Sequence, residues 1–516
     1  MKKIILSIAA SLYMLFSFAQ ETVDMAMMQK IKDEEKQHSQ MEKIAHELMD
    51  GCGPRLTNSP GYKKAVDWAV QTLTQWGLQA APEAWGEFGK GWGTEMVYAA
   101  LSKPYYQPMI VHPFAWSNGT KGLQEAGVTM LDNLDSASIA AKGKELKGKI
   151  ILLKEKDATI MDAFFAYAKR YPDTSLNNLP DMYMIGRDLI SFYEKYLADQ
   201  HQAKKLLAAK GAIALMRVNK DGRDGTLYVD GTVSWHKNFE PTLAEISVAP
   251  EDYFRIQRLL ADNREVQVQL NIKNNWYNND LTGYNVIGEI PGTDAALKNQ
   301  VVIIGGHLDS WHSGTGATDN GAGCVVMMEA VRILKALGVQ PKRTIRIALW
   351  GGEEQGLLGS FGYVKNHFGN PIDMKLKDEQ KNISAYFNLD NGTGKIRGIY
   401  LQNNAAAKDI FSSWLQPFAD KGATGVTMSN TGATDHLSFD AVGIPGFQFI
   451  QDPMEYETRT HHSNMDVYDH LSIPDLQQAA MVVAAFVYNA AMRNEMVPRK
   501  PLPKAERFVF DTDNPL

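Results

Sequence analysis

Between residues 305 and 323 the chain reads GGHLDSWHSGTGATDNGAG, two His and two Asp among six Gly, directly after the apolar run VVII. Gly and Asp suit turns for backbone reasons alone. His307, Asp309 and Asp319 on such a loop also have the chemistry of a metal site. Further acids and imidazoles recur in three more places. Glu353 and Glu354 follow IRIALWGG, Asp390 follows ISAYFNL, and His461 and His462 stand in RTHHSNMD. One such residue is an ordinary turn or surface group; four separate segments point to a shared site. The chemistry suits zinc, which takes imidazole nitrogen and carboxylate oxygen and leaves a position open for water. Two metals about 3.5–4 Å apart act together on an attacking and a leaving group. A carboxylate can bridge such a pair. Of two adjacent glutamates, one can ligate while the other faces the water. Asp309, two residues from His307, can orient that imidazole.

The elements that must carry these residues alternate regularly after residue 280. NVIGEIPG, NQVVIIGGHLDS, RTIRIALWGGEE and ISAYFNLDNG read as strands. GAGCVVMMEAVRILKALG reads as a helix of about four turns ended by Gly338. Such alternation predicts an α/β sandwich with a largely parallel sheet, and ligands bind beyond the carboxyl ends of its strands. Upstream, Ser59 and Pro60 open a helix with the apolar stripe Ala65, Val66, Ala69, Val70, Leu73. Between about 125 and 270 the texture changes. A short buried-type strand (KIILL), a long helix ending in AAKG and the period-two run VQVQLNI predict a separate α/β unit without metal ligands.

At this point the residues resemble a family. GGHLDSW…GATDNGAG, WGGEEQGLLGS, NLDNG, TDHLSFDAVGIPG and HHSNMD occur in the order seen in the co-catalytic di-zinc exopeptidases: bacterial leucyl aminopeptidases, glutamate carboxypeptidase and carboxypeptidase Q. GCGPRLTNSPGYKKAVDWAVQTL looks most like carboxypeptidase Q and its bacterial relatives. The resemblance implies a three-layer α/β sandwich with a mixed, largely parallel sheet, the zinc-exopeptidase phosphorylase/hydrolase-like fold, and an inserted protease-associated-type α/β domain. It implies two Zn²⁺ per chain, one on His307 and Asp390, the other on Glu354 and His462, with Asp319 bridging. The Asp319–Asn320 peptide bond is often cis in such proteins. Glu353 would be the general base. His462 rather than His461 matches the ligand, because Ser463 and Asp466 follow it at the family's spacing. Asp309, Asp435 and His461 would lie behind the metals or in the substrate pocket. His312 departs from the smaller or acidic residue that relatives carry.

The expected organisation is a leader at 1–19, a first part of the peptidase domain at 20–124, the insert at 125–273, a second part with the metal site at 274–500, and a tail at 501–516. Lys2 and Lys3, the apolar run Ile4–Phe18 and Ser17-Phe18-Ala19 have the form of a secretory signal peptide, so the expected location is exported, periplasmic or secreted, with no stable membrane anchor. Net charge is −6 without a long basic run, which argues against nucleic acid. Two cysteines, Cys52 and Cys324, make no disulfide framework and exclude a Cys-built zinc site. No G-x-S-x-G elbow occurs, and HELMD lacks the second His of a zincin helix. The expected partners are short peptides with a free terminus, cleaved as by a dipeptidase or aminopeptidase; a homodimer is compatible with this. The alternatives on the same fold are a single-zinc glutaminyl cyclase-type acyltransferase and a non-catalytic, receptor-like member. His307 and Asp390 together oppose the first, and Glu353 with five ligands opposes the second.

Overall fold

The computed structural model describes residues 21–156, 168–182 and 187–506. The expected leader and the end of the tail lie outside them. Among the described residues no helix is long and apolar enough to cross a membrane.

Two eight-stranded sheets form among the described residues. The first runs Gln79–Glu87, Thr282–Ile290, Thr344–Trp350, Val301–His307, Ile383–Asn388, Gly446–Gln451, Ile396–Tyr400 and Gly425–Thr427. From Thr344–Trp350 across to Gly446–Gln451 its strands are parallel. Thr282–Ile290 is antiparallel to both neighbours. The VVII run shows why the sheet is a middle layer. Val302 and Ile304 join one core, with the helices Ala322–Ala336 and Ile473–Met492. Val301 and Ile303 join another, with Tyr363, Phe368 and Phe439. Strands covered on both faces are apolar at successive positions rather than alternating. This is the expected three-layer sandwich.

The helix Ala322–Ala336 is buried around its whole circumference as far as Leu334, as its nearly unbroken apolar sequence requires. The helix Pro60–Gln75 begins as read: the Ser59 hydroxyl accepts from the Tyr62 amide.

The second sheet runs Gln107–Pro108, Gly91–Lys103, Gln267–Tyr277, Gln124–Leu131, Ile150–Leu153, Ala214–Arg217, Ala244–Val248 and Val111–Pro113. It has its own core, into which the period-two run sends Val268, Leu270 and Ile272. Its membership corrects the boundary expected at 125. Gly91–Lys103 pairs antiparallel with Gln267–Tyr277 along its length, from Gly91↔Tyr277 to Lys103↔Gln267. The unit therefore starts near residue 91 by sheet membership. Residues 168–182, inside the expected insert, lie instead against the first sheet's side. Arg170 pairs with Asp452 at 2.9 Å and Asp475 at 2.8 Å, and the Tyr171 amide donates to Asp452.

The central helix also buries charge. Arg332 binds Glu329 and Glu34, and Glu35 is fully buried beside them. Burial, then the Glu329 carboxylate, pushes the Glu35 carboxyl up to about 9. An acid whose pKa is raised by folding contributes stability that is complete below its unfolded value, near 4.5, and is lost as pH rises through the folded value. Glu35→Gln, which cannot lose a proton, should therefore gain thermal stability over the wild type progressively between pH 5 and pH 9. Thermal unfolding midpoints across that range check this; a constant or shrinking difference contradicts it.

Candidate metal centre

Three adjacent parallel strands end at one edge of the first sheet, and each delivers a residue there. His307 closes Val301–His307. Glu353 and Glu354 lie on the turn after Thr344–Trp350. Asp390 lies two residues beyond Ile383–Asn388. Asp319 arrives from the Gly-rich loop just before the helix Ala322–Ala336, through a cis Asp319–Asn320 peptide bond. His461 and His462 follow the helical turn Tyr456–Thr460.

Their atoms converge. His307 Nε2 lies 3.4 Å from Asp319 Oδ1, 3.3 Å from Asp390 Oδ1 and 3.8 Å from Glu353 Oε2. His462 Nε2 lies 3.3 Å from Asp319 Oδ2 and 3.0 Å from Glu354 Oε2. Asp319 thus turns one oxygen to each cluster, and its Oδ1 also accepts from the Tyr456 hydroxyl at 3.0 Å. Two triads have donor atoms within 4.8 Å of one another: His307, Glu353 and Asp390, and Asp319, His461 and His462. His461 is farther from the bridge than its neighbour, at 3.8 Å. Its ring lies 3.8 Å from that of His462, centroid to centroid.

Three side chains tie the ligand segments together. The Asp309 carboxylate accepts from the amides of Glu353 at 3.2 Å and Glu354 at 3.3 Å, and from the Thr57 hydroxyl at 2.9 Å. The His307 Nδ1 also faces Asp309, 2.9 Å from its backbone carbonyl and 3.6 Å from its carboxylate. Asp309 therefore orients the imidazole through its main chain and the glutamate turn through its side chain. Asn320 donates to the Leu389 carbonyl at 2.8 Å and accepts from the Gly323 amide at 3.0 Å. It links Asp319 to the Asp390 loop. A side chain at Gly323 would strike both Asn320 and Leu389, at 2.3 Å, so glycine is required by close approach. Asp466 accepts from the amides of Thr318 at 2.6 Å and Asp319 at 3.2 Å. It joins the loop of the bridging acid to the histidine loop.

Burial and crowding set the electrostatics. Burial alone lowers the His307 imidazole, but the Asp390 and Glu353 carboxylates raise it well above the ordinary range. Burial, followed by neighbouring acids, pushes Glu353 and Glu354 up, with His307 opposing. Asp435 is completely buried, and burial raises it to about 8 against the pull of His307. Burial also works to raise Asp319, but the surrounding imidazoles hold it low. Asp319 Oδ2, Glu354 Oε1 and Asp390 Oδ1 are buried without a hydrogen-bond partner among the described residues. Buried carboxylate oxygens without donors are unfavourable by a few kcal/mol each, about 1–3 or more. With His307 Nδ1 engaged by a carbonyl, Nε2 is left for a metal. Orphaned oxygens facing free imidazole nitrogens are a donor set that fits zinc.

Sequence reading missed several supports. Arg55, fully buried, donates to the carbonyls of Leu308, Thr315 and Gly316 and so shapes the Gly-rich loop. Thr57 and Tyr456 are also remote in sequence from the acids they bind, by 252 and 137 residues. His312 turns away from the centre: its Nε2 lies 2.7 Å from the Pro113 carbonyl, and burial lowers it to about 3. His436 also faces elsewhere, toward Gln402 and the Thr431 carbonyl.

Residues 285–487 match the model of Peptidase family M28. The segment so matched holds His307, Asp319, Glu353, Glu354, Asp390, His461 and His462. Human carboxypeptidase Q is 25% identical over 458 residues, covering 88% of this chain and 85% of that protein. Aminopeptidase YwaD of Bacillus subtilis is 30% identical over 318 residues, 60% of this chain and 63% of its own. The solved Peptidase M28 precursor of Shewanella amazonensis superposes with a TM-score of 0.66 at 24% identity, over 93% of this chain and 98% of that one. BSAP, a zinc aminopeptidase from Bacillus subtilis, gives 0.56 at 21% identity, over 92% and 98%. At these identities the structural likeness is one of fold. The site has the donor chemistry of a zinc metallo-exopeptidase, and it opens into a cavity of about 1010 Å³ whose far wall comes from the second sheet's unit.

Because Asp319 faces both clusters and His307 only one, Asp319→Ala should lower zinc content further than His307→Ala. After zinc reconstitution and dialysis, the His307 variant should keep about one zinc of two and the Asp319 variant less. Elemental analysis of the purified chains checks this; two zincs retained by Asp319→Ala contradicts a bridging role.

Proposed function

We propose that this chain is an exported di-zinc exopeptidase of peptidase family M28 that hydrolyses short peptides bearing a free terminus, favouring a free amine. The observation that carries the reading is Asp319, with one oxygen 3.4 Å from His307 Nε2 and the other 3.3 Å from His462 Nε2. In this reading His307 and Asp390 hold one zinc, Glu354 and His462 hold the other, and Asp319 spans them. Zinc held there would supply Lewis-acid chemistry to a scissile carbonyl and to water.

The chain's own residues do the rest. Glu353 lies at the cavity wall beside His307. It is the base in this proposal: it takes the water proton on a carboxylate oxygen and returns it to the departing amine. Its raised pKa, from burial and then from neighbouring acids, suits a group that must both accept and release a proton. Asp309 fixes the turn that carries it. Residues of the second unit close the cavity, which excludes folded protein and limits peptide length. The relatives named above, a carboxypeptidase and aminopeptidases, support an enzyme that works from a chain end. The leader read at residues 1–19 supports export.

The test compares a free dipeptide, its N-acetylated form and a folded protein, with wild type and Glu353→Gln. The wild type should cut the free dipeptide fastest and leave the folded protein intact. The Gln variant should retain its zinc and lose about 10²–10⁴-fold in turnover. Fast cleavage of the acetylated peptide, or internal cuts, would contradict the free-amine reading. A Glu353→Gln variant that loses metal while Glu354→Gln keeps it would exchange the two roles.

A further inference from the structure

The cavity has a wall that the peptidase half does not supply. Residues 228–233 of the second unit line it, in a segment fixed on both sides. Toward the metal centre, Tyr228 bridges Ser463, the Val229 amide donates to the His462 carbonyl at 2.9 Å, and the Leu227 amide donates to Asn464 Oδ1 at 2.9 Å. Toward the second sheet, the Ala115 amide donates to the Asp230 carbonyl at 3.0 Å, and the Thr232 amide donates to the Ala115 carbonyl at 2.9 Å. Asp230 thus sits two residues beyond a β-bridge to the His462 loop.

Its side chain is exposed into the cavity. One oxygen accepts from the adjacent Gly231 amide at 2.7 Å. Among the described residues the carboxylate has no ion-pair partner within 4 Å. The surrounding wall mixes charged and aromatic groups: Arg217 and Glu194 line it, and Arg217, His462 and Lys204 act on the Asp230 carboxylate from a distance. Trp311 lines the same cavity and packs edge-on against His462, with centroids 5.8 Å apart. Tyr193 and Tyr196, 6.1 Å apart, line it from the second unit's long helix. Gly231 leaves no room beside Trp116 and Trp311, since a Cβ there would come within 2.9 Å and 3.2 Å of their rings. Asp230 therefore cannot be shifted far without breaking this packing.

A rigidly held carboxylate with a free oxygen, set among aromatic faces, is a receptor for an organic cation: charge-assisted hydrogen bonds from one side and cation–π attraction from the other. We propose that Asp230 binds the ammonium group of the substrate and so makes the second unit a part of substrate selection. The proposal rests on the exopeptidase reading and deepens it. Because Val229 is bonded to the His462 carbonyl, the ammonium is fixed relative to the metal centre, and the first peptide bond is placed with it. A peptide's α-ammonium and a lysine side chain share this chemistry.

The test uses the full zinc-loaded chain as wild type and Asp230→Asn. Three peptides are compared: a free alanyl dipeptide, its N-acetylated form, and an N-acetylated lysyl dipeptide. Zinc content is measured alongside, and peptide affinity is measured by calorimetry in the Glu353→Gln background. Loss of one charged hydrogen-bond partner should lower kcat/KM for the ammonium-bearing substrate by about 10–100-fold, mainly through KM. Affinity should fall by a similar factor, with zinc content and the residual rate on the acetylated alanyl peptide unchanged. A loss confined to the free alanyl peptide assigns the α-ammonium; a loss confined to the lysyl peptide assigns the side chain. An Asp230→Asn chain that keeps the wild-type preference overturns the proposal, and so does one that has lost zinc. If the wild type itself cuts the acetylated alanyl peptide as fast as the free one, the exopeptidase reading fails first, before any Asp230 variant is considered.

Discussion

Six carboxyl groups, Asp309, Asp319, Glu353, Glu354, Asp390 and Asp435, are gathered around one buried imidazole. Like charges at this separation in a low-dielectric interior cannot all stay ionised unless something positive lies among them. The rest of the site follows from that constraint. The acids are carried on strand ends and a helix start, where backbone amides are available as donors. Asp309 and Asp466 take two amides each. Asp319 meets imidazoles at both oxygens. Asp319 Oδ2, Glu354 Oε1, Asp390 Oδ1 and both oxygens of Asp435 still lack a hydrogen-bond donor among the described residues. A divalent metal would supply the missing charge without widening the site.

Such a site must be stiff, because ligand atoms displaced by an ångström no longer share an ion. The stiffness comes from cross-ties rather than from the loops themselves. Asp309 joins the His307 strand to the glutamate turn, Asn320 joins the bridging acid to the Asp390 loop, and Asp466 joins it to the histidine loop. Arg55 pins the intervening glycine-rich stretch by its carbonyls. The second unit enters the same network through Tyr228 and Val229. Its position is therefore coupled to a metal-binding loop and not only to a surface, which is why it can present a side chain at a defined place in the cavity.

Much of this was legible in the sequence, for a physical reason. His307, Glu353, Glu354 and Asp390 each follow an apolar run that can only be a buried strand, and parallel strands in one sheet deliver their carboxyl ends to one edge. The α/β sandwich with its largely parallel sheet was legible from the strand–helix alternation, and its three layers from the family resemblance. The rest depends on contacts between residues far apart in the chain. Nothing near Asp309 says that its carbonyl, rather than its carboxylate, holds His307. Nothing in GCGPRL says that Arg55 threads a loop more than 250 residues away. The start of the second unit was missed because Gly91–Lys103 lies well before its partner Gln267–Tyr277, and pairing over such a separation leaves no local signal. Asp230, in LYVDGTV, reads as a turn acid until the fold brings it to the cavity.

The central claim is that two ions share Asp319, with His307 and Asp390 on one side and Glu354 and His462 on the other. Anomalous diffraction from crystals of the zinc-loaded protein, collected above and below the zinc edge, tests it most directly. The account predicts two zinc peaks about 3.5–4 Å apart, one on each side of the Asp319 carboxylate. A single peak, or two peaks that do not flank Asp319, would contradict it.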